Sequence, residues 1–336
     1  MPSSIWPLDK LQAGLETVAG TLVPATRIIQ ANAELVEEQG LYRSDYPQGV
    51  RANPGGLGAI MWKGATMECE TDLNAEEVLW PLMTGIRGAV TPTGAGADKT
   101  WVFTPQLTTG SLTLDTATIE YMHSDGSTNH YYGEFGHGQT RSIGMEWTFN
   151  EPAKLNWAMY GRARQTGTAT GSLAVYTTRE ILASNSLAFY KDTTWAGLGG
   201  TQITGTTRSV TLDITTGLGP DYTLDARSDK DFSTYNVGRV TATLEVVQEM
   251  NAGGAAMFAN YRANDAVYIR LKNTGSVVGS GVKTVQVDGA YRFTDSPTFD
   301  RDGDVVTVTY NLESFYDETS TKTLEFTVIN ALTAIT

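Results

Sequence analysis

Three histidines stand seven residues apart, His123, His130 and His137, and imidazole is the side chain most often recruited to bind a metal. On a strand, an odd spacing sends successive side chains to opposite faces, and no cysteine or second motif completes a zinc set. Polar surface or interface positions are the expectation, with no metal site. Asp300, Asp302 and Asp304 begin like a calcium loop. The sixth position of that loop is Val305, where glycine makes the sharp turn, and the twelfth is Asn311, where a bidentate glutamate belongs. An Asp-Gly turn between two strands accounts for DRDGD better. The single cysteine, Cys69, lies in ATMECETD with Met67 on the same strand face, which suits a small buried hydrophobe. No G-x-S-x-G, H-E-x-x-H, Walker A or strand-linked G-x-G-x-x-G occurs. Carboxylates are abundant, but no motif supports a hydrolytic pair. The expectation is a protein with no catalytic residues and no cofactor.

The elements that carry these residues are short strands. With 35 Gly and 11 Pro in 336 residues, 40% hydrophobic and 18% charged, the composition fits many strands and turns. At roughly 150 residues per domain, the length allows two compact units, each with its own core. A net charge of −13 repels phosphate and argues against tight DNA binding. The N-terminus lacks a basic region followed by an apolar run, and no stretch reaches the roughly 18 apolar residues of a membrane span. Synthesis in the cytosol and no membrane insertion are expected.

Prolines at 2, 7, 24, 47 and 54 punctuate the start of the chain, with a helical candidate only at Ala31 to Glu38. Residues 1–56 therefore read as an N-terminal extended arm. Period-two alternation marks strands at 65–71, 101–103, 112–122, 131–135, 142–149 and 155–162, within a β domain over 57–171. Asn74 and Glu77 form a capping-box pattern before a helix shortened or kinked by Pro81. A Gly-, Thr- and Ser-rich stretch over 172–206 reads as a connector or arm, with a possible strand at Leu187 to Tyr190. A second β domain over 207–336 holds strands at 210–214, 237–247, 267–271, 284–293, 305–315 and 324–329. A short helix is expected after Asn251.

The two series look related. ATMECETDLN (65–74) aligns without gaps on ATLEVVQEMN (242–251), matching Ala65 with Ala242, Glu68 with Glu245 and Asn74 with Asn251. The polar faces match too, Thr66, Glu68 and Glu70 against Thr243, Glu245 and Val247. Further along, Glu146 and Thr148 alternate with Met145 and Trp147, and Thr307, Thr309 and Glu313 alternate with Val308, Tyr310 and Leu312.

The run ETVAGTLVPATRII (16–29), with Glu16, Gly20, Thr21, Pro24 and Thr26, resembles the opening of siphophage major tail tube proteins. The order that follows is similar as well: GATMECETDLNAEEVLWPLMTGIRG, then YYGEFGHGQTRSIGMEWTFN, then TFDRDGDVVTVTYNLESFYD and LEFTVIN. The resemblance covers most of the chain. It implies a mainly β fold of two tandem tail-tube-like β-sandwich or barrel domains, each with a short flanking helix, plus extended arms. In that family one sheet joins its neighbours to line a channel. The resemblance therefore implies a structural subunit of a bacteriophage tail tube, stacking in rings around a lumen through which DNA is delivered. The duplicated length implies three chains per pseudo-sixfold ring, with a hexamer as the alternative. Candidate lumen-lining residues are Thr66, Glu68, Glu70, Glu146, Thr148, Thr243, Glu245, Thr307, Thr309 and Glu313, an acidic wall past which DNA slides without sticking. The same faces also suit an ordinary solvated sheet. Implied partners are further copies of the chain, the tape measure protein in the lumen, the tail terminator and distal tail proteins, and DNA in transient passage. The location implied is the virion tail, assembled in the host bacterial cytoplasm. Against this stand a carbohydrate- or receptor-binding β-sandwich, suggested by 7 Trp and 15 Tyr, and a hydrolase on a β scaffold. Trp147 and Tyr310 fall on apolar strand faces, which assigns them to cores.

Overall fold

A computed structural model describes residues 9–43, 58–107, 112–124, 129–163, 169–224 and 229–335. Alternation at 65–71 becomes strand β4 (Gly58–Asp72), with Met67 and Cys69 buried and Glu68 and Glu70 exposed. β4 pairs with β3 (Asn32–Arg43) on one side and β8 (Lys154–Gly161) on the other. β8 pairs with the second part of β7 (Asn129–Thr148). From there the sheet crosses directly into the other half of the chain. β7 pairs with β11 (Thr207–Thr215), β11 with β14 (Thr241–Glu249), β14 with β18 (Val305–Ser314), and β18 with β17 (Thr298–Asp302). The result is one antiparallel sheet ordered β3-β4-β8-β7-β11-β14-β18-β17, hereafter the large sheet.

The second layer has two parts. β1 (Lys10–Leu15) lies between β2 (Arg27–Ile29) and β6 (Ala117–Ser124), and β6 pairs with the first part of β7. The other part runs β10 (Gln202–Ile203), β9 (Leu187–Asp192), β15 (Val267–Val278), β16 (Gly281–Phe293), β19 (Leu324–Asn330) and β5 (Lys99–Phe103). Inward side chains of both layers, among them Met67, Met145, Leu212, Tyr310, Trp101 and Phe326, belong to one apolar cluster. A separate hairpin, β12 (Leu218–Asp221) and β13 (Thr234–Val237), packs Leu218 and Phe232 against Tyr160.

The two halves repeat one plan. Leu35 faces Met67 across β3 and β4 as Leu212 faces Leu244 across β11 and β14, and Ala33 faces Cys69 as Val210 faces Val246. The chain offset is the same for both strands of each pair. Helix α1 (Leu79–Gly85) follows β4, and α2 (Ala252–Ala263) follows β14. Asn74 Oδ1 accepts the Glu77 N–H at 2.7 Å, and the matched Asn251 Oδ1 accepts the Gly253 N–H at 3.0 Å. Pro81 sits in the first turn of the seven-residue α1, where its missing N–H costs no helical bond.

Four expectations need correction. The helical candidate at 31–38 is part of β3, because Ala33 and Leu35 alternate with exposed Glu34 and Val36 and this strand period governs the segment. Within the expected arm over 1–56, the described residues supply β1, β2 and β3, and Leu11, Ala13 and Ile29 are buried in the core. Residues 1–8 and 44–57 of that arm lie outside the described residues. Glu16 anchors the turn after β1, accepting from the Gly20 and His137 N–H groups and from the Thr116 and Thr118 hydroxyls. The expected connector over 172–206 buries Tyr176 and Leu182 and supplies β9 and β10, the opening strands of the second repeat. Nor do the halves keep separate cores, since the large sheet and its apolar cluster are shared.

Charge reinforces the junction between the repeats. Lys283, on β16 of the second repeat, reaches Glu76 ahead of α1 in the first at 2.9 Å, with side-chain exposures of 8% and 0%. Its Nζ also donates to the Thr178 carbonyl. Beside it Glu77 accepts from the Gln30 N–H, Asn74 Nδ2 and Arg179 Nε. A buried carboxylate stripped of its cation is costly. Lys283→Met is therefore expected to destabilise the fold by about 3–5 kcal/mol. Adding Glu76→Gln should restore much of the loss, as read from urea denaturation midpoints.

Candidate functional site

One face of the large sheet covers the core; the other is mostly polar, except where Tyr160, in the row of Thr66, is buried under the β12–β13 hairpin. All ten candidate residues lie on that second face, because strand pairing puts them in cross-strand rows. Glu34, Glu68 and Ala158 form one row across β3, β4 and β8. Lys154, Glu146, Thr211, Glu245 and Asn311 form another, crossing from the first repeat into the second. A third carries Gly144, Asp213, Thr243 and Glu313. Glu68, Glu70, Glu146, Thr243, Glu245 and Glu313 are exposed, and Thr66, Thr148 and Thr309 are half-buried. Thr307 is 5% exposed, between Glu249 and Asp300 in the ladder.

Sequence reading missed several carboxylates on this face, Glu34, Asp213, Asp300 and Asp302 among them. Glu34 stood in a segment read as helix and arm. DRDGD does hold the expected Asp-Gly turn between two strands, the β17–β18 hairpin closing through Gly303 at φ 61°, but Asp300 and Asp302 precede that turn as part of β17. Asp213 stands between Leu212 and Ile214, so the alternation within 210–214 already pointed it to the polar side. Burial, and then the neighbouring Glu146, raise the Asp213 carboxyl above its ordinary value. Basic residues are interspersed: Arg141 lies 3.4 Å from Glu68, Lys154 3.0 Å from Asp72, and Arg292 opposite Glu313.

The face ends at two strand edges. Among the described residues, β3 pairs with β4 alone and β17 with β18 alone. The outer strands of the repeats are equivalent in pairs. β3 holds the place in the first repeat that β11 holds in the second, and β17 the place that β7 holds. Met145 of β7 is 1% exposed, sealed where β11 lays Leu212 beside it. Its counterpart on β17, Phe299, is 54% exposed, with Phe258 of α2 packed edge-on at 5.6 Å.

The other residues singled out by type are separately occupied. His123 Nδ1 lies 2.7 Å from Asp9, with the Tyr121 and Tyr131 rings around the imidazole. His137 is buried at φ 56° against Phe232. The side chain of His130 lies outside the described residues. Among the described residues, no three His, Cys, Asp or Glu side chains are grouped to hold a metal ion. Cys69 is in the core, where burial pushes its thiol up. Trp147 and Tyr310 are buried, so neither forms a surface platform for a sugar ring. Compared with known proteins, the chain matches no family model and no curated protein.

The raised Asp213 carboxyl has a definite sign in stability. An acid whose folded pKa exceeds its unfolded value gives stability that is present below the unfolded value and lost as pH rises through the folded one. Asp213→Asn should therefore raise the urea midpoint at pH 7, and the gain should vanish near pH 3.5, below the ordinary value of 3.8.

Proposed function

We propose that this chain is a non-enzymatic structural subunit of a long-tailed bacteriophage tail tube. Three copies close a pseudo-sixfold ring, and stacked rings enclose a lumen for DNA delivery. One observation carries the reading: the chain already contains one edge-to-edge joint between equivalent units, β7 against β11, and among the described residues leaves open the two edges that would make the same joint with another copy. An open edge exposes unpaired N–H and C=O groups, and closing the sheet on itself removes the liability. Fusing two units in one chain makes half the joints intramolecular, which favours three chains per ring over six.

Carrying the β7–β11 register to the open edges sets Phe299 of one chain beside Leu35 of the next. Phe299 then loses its exposure as Met145 has. In this arrangement the polar face lines the lumen through Glu68, Glu70, Glu146, Glu245 and Glu313, with Asp213 added. Like charge keeps the phosphate backbone from adhering during passage. The tape measure protein fills the lumen before DNA does, and the terminator and distal tail proteins cap the stack in the virion, which is assembled in the bacterial cytoplasm.

Two measurements test the reading. End-on electron micrographs of concentrated protein are expected to show six-lobed rings, with a mass of three chains. In Leu35→Cys/Phe299→Cys, oxidation should link chains into a covalent ladder ending at three. Dispersed monomers at every concentration, or sixfold rings of six chains, would overturn the proposal.

A further inference from the structure

The joint within the chain and the joint between chains are not electrostatically alike. Within the chain, Glu146 of β7 meets Thr211 of β11, and Lys154 lies on its other side. The row reads Lys-Glu-Thr-Glu, so opposite charge and a neutral spacer separate the acids. The equivalent of Glu146 on β17 is Asp300, set by its pairing with Thr307 on β18, and the equivalent of Thr211 on β3 is Glu34, paired with Glu68 on β4. The row between chains therefore reads Thr-Asp-Glu-Glu, with three carboxylates in succession. One row along, Asp302 approaches Asn32, whose partner on β4 is Glu70. Cations touch the flanks of this row, while among the described residues no ion pair is formed by Asp300 or Glu34 themselves. Arg141 lies 3.4 Å from Glu68, and Arg208 is 2.8 Å from Glu249 but 4.0 Å from Asp302. Arg301 alternates away from Asp300 and Asp302, toward the opposite face.

We infer that closure between chains is gated by ionic strength: facing carboxylates on Asp300 and Glu34 hold free subunits apart until mobile cations screen them. This rests on the ring reading and adds its regulation. Like charges directly opposite on neighbouring strands weaken a pairing by roughly two- to fivefold in its equilibrium constant. The factor applies once per joint and compounds over a ring of three. The gate answers a problem the fold creates, since a subunit with two complementary edges and an exposed Phe299 would otherwise polymerise as soon as it is made. Inside one chain the β7–β11 joint needs no gate, and no two carboxylates stand directly opposite each other across it.

The test is sedimentation velocity of the full chain as NaCl is raised from about 20 mM to about 0.5 M, a range over which the screening length falls several-fold. Wild type should gain mass with salt. Glu34→Gln/Asp300→Asn should associate at least several-fold more tightly at low salt and lose most of the dependence. Asp300→Lys, which sets a cation against Glu34, should invert it, associating best at low salt. Salt can also strengthen apolar contact, and the inversion is what separates charge from that effect. The Leu35→Cys/Phe299→Cys pair, oxidised at each salt concentration, separates the two proposals. Crosslinking independent of salt, with the neutral variant matching wild type, would leave the joint standing and overturn the gate. Crosslinking at no salt concentration would overturn both.

Discussion

A backbone N–H or C=O at the rim of a sheet must find a partner or face water, and most of this architecture follows from how its rims are closed. β7 closes on β11, and β16 on β19. The Ala174 carbonyl accepts from Ile28 at the rim beyond β2, and a bridge between Thr93 and Thr100 covers β5. The β7–β11 closure joins the two halves of the chain, so the repeats cannot be drawn apart without opening a ladder. Only at β3 and β17 does the large sheet stop without a neighbouring strand among the described residues.

The duplication explains why one surface spans both halves. A strand in the large sheet shows its polar side wherever its apolar side meets the core, and the repeat supplies the same alternation twice. Joining the units edge to edge keeps those sides in phase, as the row from Lys154 through Glu146, Thr211 and Glu245 to Asn311 demonstrates. A one-residue slip at the β7–β11 joint would put Met145 and Leu212 on opposite sides of the sheet.

Much of this was legible in the residues. Period-two alternation located β4, β8, β14 and β18, and the matched segments at 65–74 and 242–251 located the repeat before any coordinates. Polar faces read from the same alternation fell on one surface. What escaped had a common cause: pairing partners distant in sequence. Glu34 reads as helical by its neighbours, and only the ladder with Glu68 makes it a strand residue. β1 and β2 look like a proline-punctuated arm until β6 is laid beside β1. The residues at 187–190 already pointed to a strand, now β9, but that Phe189 is a core residue follows only from its place opposite Leu271 of β15. Strand existence was local information, and strand partnership was not.

The crossing of β19 onto β5 has a consequence in time. Phe326 and Val328 face Phe103 and Trp101, all four fully buried, and Trp101 Nε1 donates to Asn330 at 3.1 Å. A ribosome delivers β5 long before β19, so the first repeat emerges with an aromatic flank that only the last strand can cover. Contacts this far apart in sequence form slowly and late. Until β19 has paired, Trp101 and Phe103 leave an apolar surface uncovered, the kind of surface that makes a folding intermediate prone to aggregate.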